Sequence, residues 1–184
     1  IGSNIDLMID NHWRFTSETA PLLASICKEF AISWIEDPLE KWVRKDCDIL
    51  REGSGGRVVG GEDIHTYGEL EDLAKSGCID LMFADIKFVG GTVELDRICK
   101  MAATHGVGFA PHNPDGPIST ASSAHVVAAN PNAEVLEYSF GEVEWRQSFA
   151  KGEQPVGNRM SISGPGYGVD IMFENQGEPV PVIG

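Results

Sequence analysis

Short apolar runs alternate along the chain with longer segments whose apolar residues recur every three or four positions. The runs at residues 5–9, 32–35, 58–59, 79–84, 107–110 and 135–136 each predict a short strand buried on both faces. The segments between them carry recognisable helix ends. Thr16 or Ser17 caps a helix running to about Phe30, Thr66 opens one that Gly77 closes, and Thr92 opens one that Gly106 closes. A small-residue helix covers 119–129 and stops at Asn130-Pro131, and 39–50 is read as one more helix. The glycines from Gly53 to Gly61 predict a loop into the third strand; no Gly-Lys-Ser/Thr follows, so it is not a phosphate-binding loop.

Strand–helix alternation implies parallel strands joined by crossover helices. What ends the strands is more specific. Asp10, Glu36, Glu62, Asp85, His112 and Glu137 close the six in turn, at separations of 26, 26, 23, 27 and 25 residues. Parallel barrels draw their catalytic groups from the C-terminal ends of several strands. A polar residue at every strand end suits such a ring better than an open sheet. Six strands fall short of the eight a barrel needs, and the first begins almost at Ile1. Residues 1–150 are therefore expected to be a partial (β/α) barrel lacking its first strands. From Gly152 onward, Gly and Pro dominate, as in Gly164-Pro165-Gly166-Tyr167-Gly168 and Pro179-Val180-Pro181. Residues 151–184 are expected to form an irregular tail packed on the missing N-terminal portion.

Composition narrows the partners. At 184 residues, with 42% hydrophobic and 23% charged residues, the chain reads as an ordinary globular domain. No apolar run approaches the roughly 20 residues of a membrane span, and no signal peptide is visible. A formal net charge of −14 argues against nucleic acid, whose phosphates need Lys and Arg. Cys27, Cys47, Cys78 and Cys99 form no Cys-x-x-Cys and are read as free buried thiols of a cytoplasmic protein.

The strand ends suggest chemistry. Asp10, Glu36 and Glu62 on three adjacent strands would repel one another unless a cation lay between them, and hard oxygen donors suit Mg²⁺. His112 follows a strand whose predecessor ends in Asp85. A carboxylate on one ring nitrogen fixes the tautomer and makes the imidazole a competent general base. Glu137, if protonated, can hydrogen-bond a substrate oxygen, or it can serve as a structural acid. His12 stands two residues after Asp10, so strand alternation aims both to one side and makes His12 a second acid or base. His65 is read as a loop residue, and His105 and His125 as helix residues.

These residues sit in motifs that resemble the enolase superfamily, in its mandelate racemase-like branch. The motifs are Ile9-Asp10-Asn11-His12, Trp34-Ile35-Glu36-Asp37-Pro38-Leu39, Gly61-Glu62, Asp85-Ile86-Lys87-Phe88-Val89-Gly90-Gly91, Ala110-Pro111-His112-Asn113-Pro114-Asp115-Gly116-Pro117 and Leu136-Glu137. Together they cover about residues 5 to 140 in the family's order. The resemblance implies the C-terminal part of a (β/α)7β barrel, whose N-terminal capping domain and first strands are not in this sequence. It implies Mg²⁺ held by Asp10, Glu36 and Glu62, a His112–Asp85 dyad, and Glu137 bonded to a substrate carboxylate. The Asp-x-His pattern and "PHNP-x-GP" look like the acid-sugar dehydratases, hydro-lyases such as galactonate dehydratase. By that analogy His112 is the base and His12 the acid, the substrate is a sugar acid, and the enzyme is a homo-oligomer. A racemase, epimerase or cycloisomerase of the same superfamily, or a non-catalytic barrel subunit, are the alternatives.

Overall fold

The computed structural model describes residues 4–141 and 146–172. Five parallel strands, β1 (Leu7–Asp10), β2 (Ile32–Glu36), β3 (Arg57–Gly60), β4 (Leu81–Met82) and β5 (Gly108–Phe109), pair in simple sequence order. An order with no reversal has no switch point of the open doubly wound kind. It is the progression of a βα barrel, and this part of the fold is as the sequence pattern implies. Among the described residues the expected sixth strand at 135–136 is not formed; just before it, Ala133 bridges Phe109 through Phe109 N–H to Asn132 O and Glu134 N–H to Phe109 O.

Alternation along the strands divides the core in two. Ile35, Val58, Met82 and Phe109 face the helices and join Leu23, Leu50, Leu70 and Ile98 in the main cluster. Their neighbours Trp34, Val59, Leu81, Phe83 and Ala110 face the other way and form a second cluster. That second cluster is the inner face of the curved sheet, and it underlies the strand-end residues.

The helices are α1 (Ala20–Glu29), α2 (Arg44–Ser54), α3 (Tyr67–Ser76), α4 (Thr92–Thr104) and α5 (Pro117–Ala129). At α3 both expected caps hold: the Thr66 hydroxyl accepts from Glu69 N–H and Gly77 takes the left-handed conformation. Elsewhere the ends move for identifiable reasons. The hydroxyl of Ser17 bonds Asp46 of α2 instead of capping, and α1 starts later with Pro21 in its first turn. Residues 39–43 are not helical, because Glu40 N–H bonds Phe15 O in a parallel bridge beside β1. Thr92 is helical behind an N-cap at Gly91, and α5 begins at Pro117, two residues early. His105 is the C-cap of α4 instead of an interior residue.

Part of the expected glycine loop is helix, since α2 runs through Gly53. A Cβ there would lie 2.8 Å from the Cβ of Ala24, so the missing side chain is what lets α2 lie against α1. Gly53→Val is expected to lower stability by about 2 kcal/mol through overpacking, read as a lower urea midpoint with an unchanged slope.

Beyond α5, helix α6 (Arg146–Phe149) leads into a two-stranded antiparallel ribbon of β6 (Ala150–Lys151) and β7 (Asp170–Ile171). This regular ribbon lies in a segment expected to be irregular. It closes because Gly152, at φ +103°, approaches Gly168 so tightly that a Cβ would sit 2.2 Å from the Gly168 carbonyl. The Tyr167 ring packs on His125 of α5, and its hydroxyl lies 2.7 Å from that of Thr92. The Pro179-Val180-Pro181 run is outside the described residues. All four cysteines are free and buried. Among the described residues no helix is long and apolar enough to cross a membrane.

Candidate active site

The strand ends converge as their spacing suggests. Asp10 and Glu36 are register partners on β1 and β2. Glu62 lies just past β3, Asp85 and His112 face each other across a bridge past β4 and β5, and Glu137 follows the Ala133 bridge. Asp10, Glu36 and Glu137, with Trp34, Phe83 and Leu136, line a cavity of about 360 Å³ on the inner face of the sheet.

His112 is the hinge of the arrangement. Its Nδ1 lies 2.9 Å from Oδ2 of the fully buried Asp85, and its Nε2 lies 3.2 Å from Oε2 of Glu62. Asp85 is itself held by Lys87 N–H, which donates to its Oδ1 at 2.7 Å. Burial alone would push Asp85 up, but the bonds from His112 and Lys87 N–H outweigh it and hold the carboxyl below its usual range. For His112 burial pushes the other way, downward, and the bond to Asp85 with the charges of Glu62 and Glu137 prevails to raise it. The edge of Phe83 closes one side of the ring, at 5.3 Å between centroids.

His12 reaches the site by a route that differs from strand alternation. β1 ends at Asp10, and His12 and Trp13 take left-handed backbone angles, φ 45° and 55°. His12 N–H folds back onto Asp10 Oδ1 at 3.1 Å, a local turn of the kind Asp favours. The imidazole Nε2 then stands 3.1 Å from Asp10 Oδ2 and 3.7 Å from Glu62 Oε1. Glu62 thus lies between two imidazoles.

The acids are crowded. Burial, followed by the charges of Asp10, Glu62 and Glu137, pushes Glu36 up to about 7, although Trp34 Nε1–H donates to its Oε2 at 2.7 Å. Asp37, fully buried with Oδ2 unbonded, is pushed up to about 8 by burial and then by Glu62, Asp63 and Glu36. Burial raises Glu62 and Glu137 as well, and the opposing pull on Glu62 comes from His112 and His12. Asp10, Glu36 and Glu62 are the oxygen donors that could hold a hard dication, and the crowding of negative charge fits one. Among the described residues no three His, Cys, Asp or Glu side chains close on a single point as a ready ligand shell. Glu36 is turned to Trp34 and Glu62 to the imidazoles.

These raised groups set a pH dependence. Glu36, Asp37, Glu62, Glu137 and His112 all hold protons more tightly when folded than when unfolded. The stability that gives is complete below the ordinary carboxylate range and is lost as pH climbs toward about 8. With chelator present, the urea midpoint is expected to fall between about pH 5 and about pH 8, and Asp37→Asn to flatten the fall. A midpoint rising across that window would contradict the crowding.

Sequence reasoning missed several participants. Asn113 donates its N–H to Glu137 Oε2 at 2.5 Å and its side-chain amide to Glu137 O at 2.9 Å, fixing that acid. Trp34 stands two residues before Glu36, and strand alternation alone could have placed it on the same face. His65, by contrast, stacks on Phe88 away from this cluster, at 4.8 Å between centroids.

Comparison with known proteins is consistent with this geometry. The family model for the enolase C-terminal domain-like family matches residues 1–175. D-xylonate dehydratase of Haloferax volcanii is 28% identical over 173 residues, 93% of this chain and 42% of that protein. D-galactonate dehydratase of Xanthomonas euvesicatoria pv. vesicatoria is 31% identical over 140 residues, 76% of this chain and 37% of that protein. The chain therefore spans about two-fifths of the length of these curated relatives. Among solved structures, a mandelate racemase/muconate lactonizing enzyme-like protein from Rubrobacter xylanophilus superposes with a TM-score of 0.83 at 26% identity, covering 93% of this chain and 44% of that one. The 3,6-anhydro-D-galactonate cycloisomerase of Zobellia galactanivorans superposes at 0.79 and 26% identity, covering 92% and 49%.

Proposed function

The chain belongs to the enolase C-terminal domain-like family, and from that premise we propose that it carries the proton-transfer site of a Mg²⁺-dependent sugar-acid dehydratase. One observation supports the reading above the others. Two imidazoles, His112 and His12, flank a single carboxylate, Glu62, and one of them is braced by a buried aspartate. Two proton carriers facing one point suit a reaction that removes a proton from one carbon and delivers one to an oxygen on the next. The resemblance to D-xylonate and D-galactonate dehydratases supports the substrate class.

In this reading Asp85 keeps the proton of His112 on Nδ1, leaving Nε2 as the base that takes the proton from C2 of the substrate. The C2–H electron pair first moves into the substrate carboxylate, giving an enediolate, and then returns to form a C2=C3 bond as the C3–O bond breaks. His12 gives its proton to the departing hydroxyl, which leaves as water. The resulting enol loses its O2 proton and takes one at C3, giving a 2-keto-3-deoxy acid. Glu137, oriented by Asn113, binds the substrate carboxylate. Asp10, Glu36 and Glu62 would hold the Mg²⁺, which when bound supplies positive charge against the substrate carboxylate as C2 loses its proton. The enzyme is assigned to the cytoplasm and to a homo-oligomer on the same reading. Screening the full-length protein against sugar acids for 2-keto-3-deoxy products tests it; no product from any acid would overturn it.

Racemisation or cycloisomerisation is the second reading, favoured by the likeness to the cycloisomerase. His12 separates the two. His12→Asn is expected to cut elimination by about a hundredfold or more while C2–H exchange with solvent continues. Elimination at near wild-type rate would remove His12 from the role of acid.

A further inference from the structure

Beyond α5 lies an ion pair that the chemistry above does not use. Arg146 of α6 donates from Nε to Glu153 Oε1 at 2.9 Å and from Nη2 to Oε2 at 3.0 Å, and the Glu153 side chain is fully buried. A buried ion pair is a poor device for stability, since well-packed apolar residues of similar volume often do as well or better. Its geometry says more. Nη1 donates to Asp115 O at 2.5 Å and Nη2 to Thr120 Oγ1 at 2.6 Å, while the guanidinium lies 4.8 Å from the centre of the Tyr138 ring. Thr120 passes the contact on. Its hydroxyl donates to Gly116 O at 3.1 Å and accepts from the Asn113 side chain at 2.9 Å. Asn113 in turn fixes both the backbone carbonyl and the carboxylate of Glu137.

One guanidinium therefore grips the loop after His112 and the residue after Glu137 at the same time. We propose that Arg146, held by Glu153, is a positioning residue that sets Asn113 and through it the direction of the Glu137 carboxylate. The planar fork is needed, because four acceptor oxygens of three residues lie around it and a lysine ammonium on its flexible stem cannot match that fork. The catalytic consequence rests on the dehydratase reading; the structural linkage does not.

Two readouts on the full-length protein keep these apart. Amide hydrogen exchange at Asn113 reads the linkage directly, and steady-state kinetics on the turned-over sugar acid read its consequence. Arg146→Met is expected to speed exchange at Asn113 at least tenfold and to lower kcat by tenfold to a hundredfold, in line with the cost of a small misplacement. Arg146→Lys should fall between it and wild type in both. Thr120→Val removes the relay oxygen with no change of charge. It is expected to loosen Asn113 in the same way, and it serves if Arg146→Met does not fold. If no sugar acid is turned over, the dehydratase reading fails and exchange still decides the linkage. Folded variants with wild-type protection at Asn113 would overturn the proposal. So would variants that loosen Asn113 yet keep kcat within twofold on a sugar acid the wild-type protein turns over.

Discussion

Replacing His112 with asparagine is expected to lower both elimination and C2–H exchange by about a thousandfold. The imidazole is the group proposed to take the proton, and general-base catalysis contributes roughly 10²–10⁴-fold. A thousandfold loss corresponds to about 4 kcal/mol of barrier. Asparagine is the informative choice because Asp85 is fully buried and bonds His112 at 2.9 Å. An apolar replacement would leave that carboxylate short of a partner, at a cost in stability that confuses the measurement. An asparagine amide can still donate to it. The fold and the affinity for Mg²⁺ should change little, so circular dichroism and calorimetry serve as controls. Exchange at C2 within tenfold of wild type would remove His112 from the role of base.

Glu62→Gln should produce the second large loss, and on a different observable. Glu62 is the carboxylate between the two imidazoles and is coupled electrostatically to Asp10 and Glu137. As a proposed ligand it lends the cation one full negative charge, which glutamine cannot. Losing an outer partner of a metal ligand typically costs 10–100-fold in affinity, so losing a direct charged ligand is expected to cost more than about a hundredfold. Calorimetry with Mg²⁺ checks this, and turnover should fall in parallel at fixed Mg²⁺. The change also withdraws the charge of Glu62, one of the influences that raise His112, so the imidazole should titrate lower in the variant. Unchanged Mg²⁺ affinity would take Glu62 out of the ligand set.

Five of the six expected strands, and the residues gathered at their ends, were legible for one physical reason. A strand buried on both faces writes a continuous apolar run, and the first ionisable residue after it marks the end that carries chemistry. Glu36, Asp85 and His112 are of this kind; Asp10 ends β1, which was expected to be buried on both faces but leaves Met8 exposed. What stayed hidden depends on geometry that no period encodes. His12 was placed correctly beside Asp10, but by alternation, whereas left-handed turns at His12 and Trp13 bring it there. The start of α2 could not be read from helical periodicity, because Pro38 O and Glu40 N–H bond the backbone of Phe15 instead. Arg146 and Glu153 carry no signal at all in sequence. Two charges seven residues apart look like a solvated surface pair, and only packing against Thr120 and Asp115 shows them to be buried.

The central claim is that a proton leaves the carbon beside a carboxylate and a hydroxyl follows from the next carbon. Proton NMR of the full-length protein in D₂O, with Mg²⁺ and either D-xylonate or D-galactonate, tests it most directly. The expected result is loss of the C2 proton signal together with a 2-keto-3-deoxy product carrying one solvent-derived deuterium at C3. A C2 proton that persists on these and every other sugar acid offered, with Mg²⁺ bound, would contradict it.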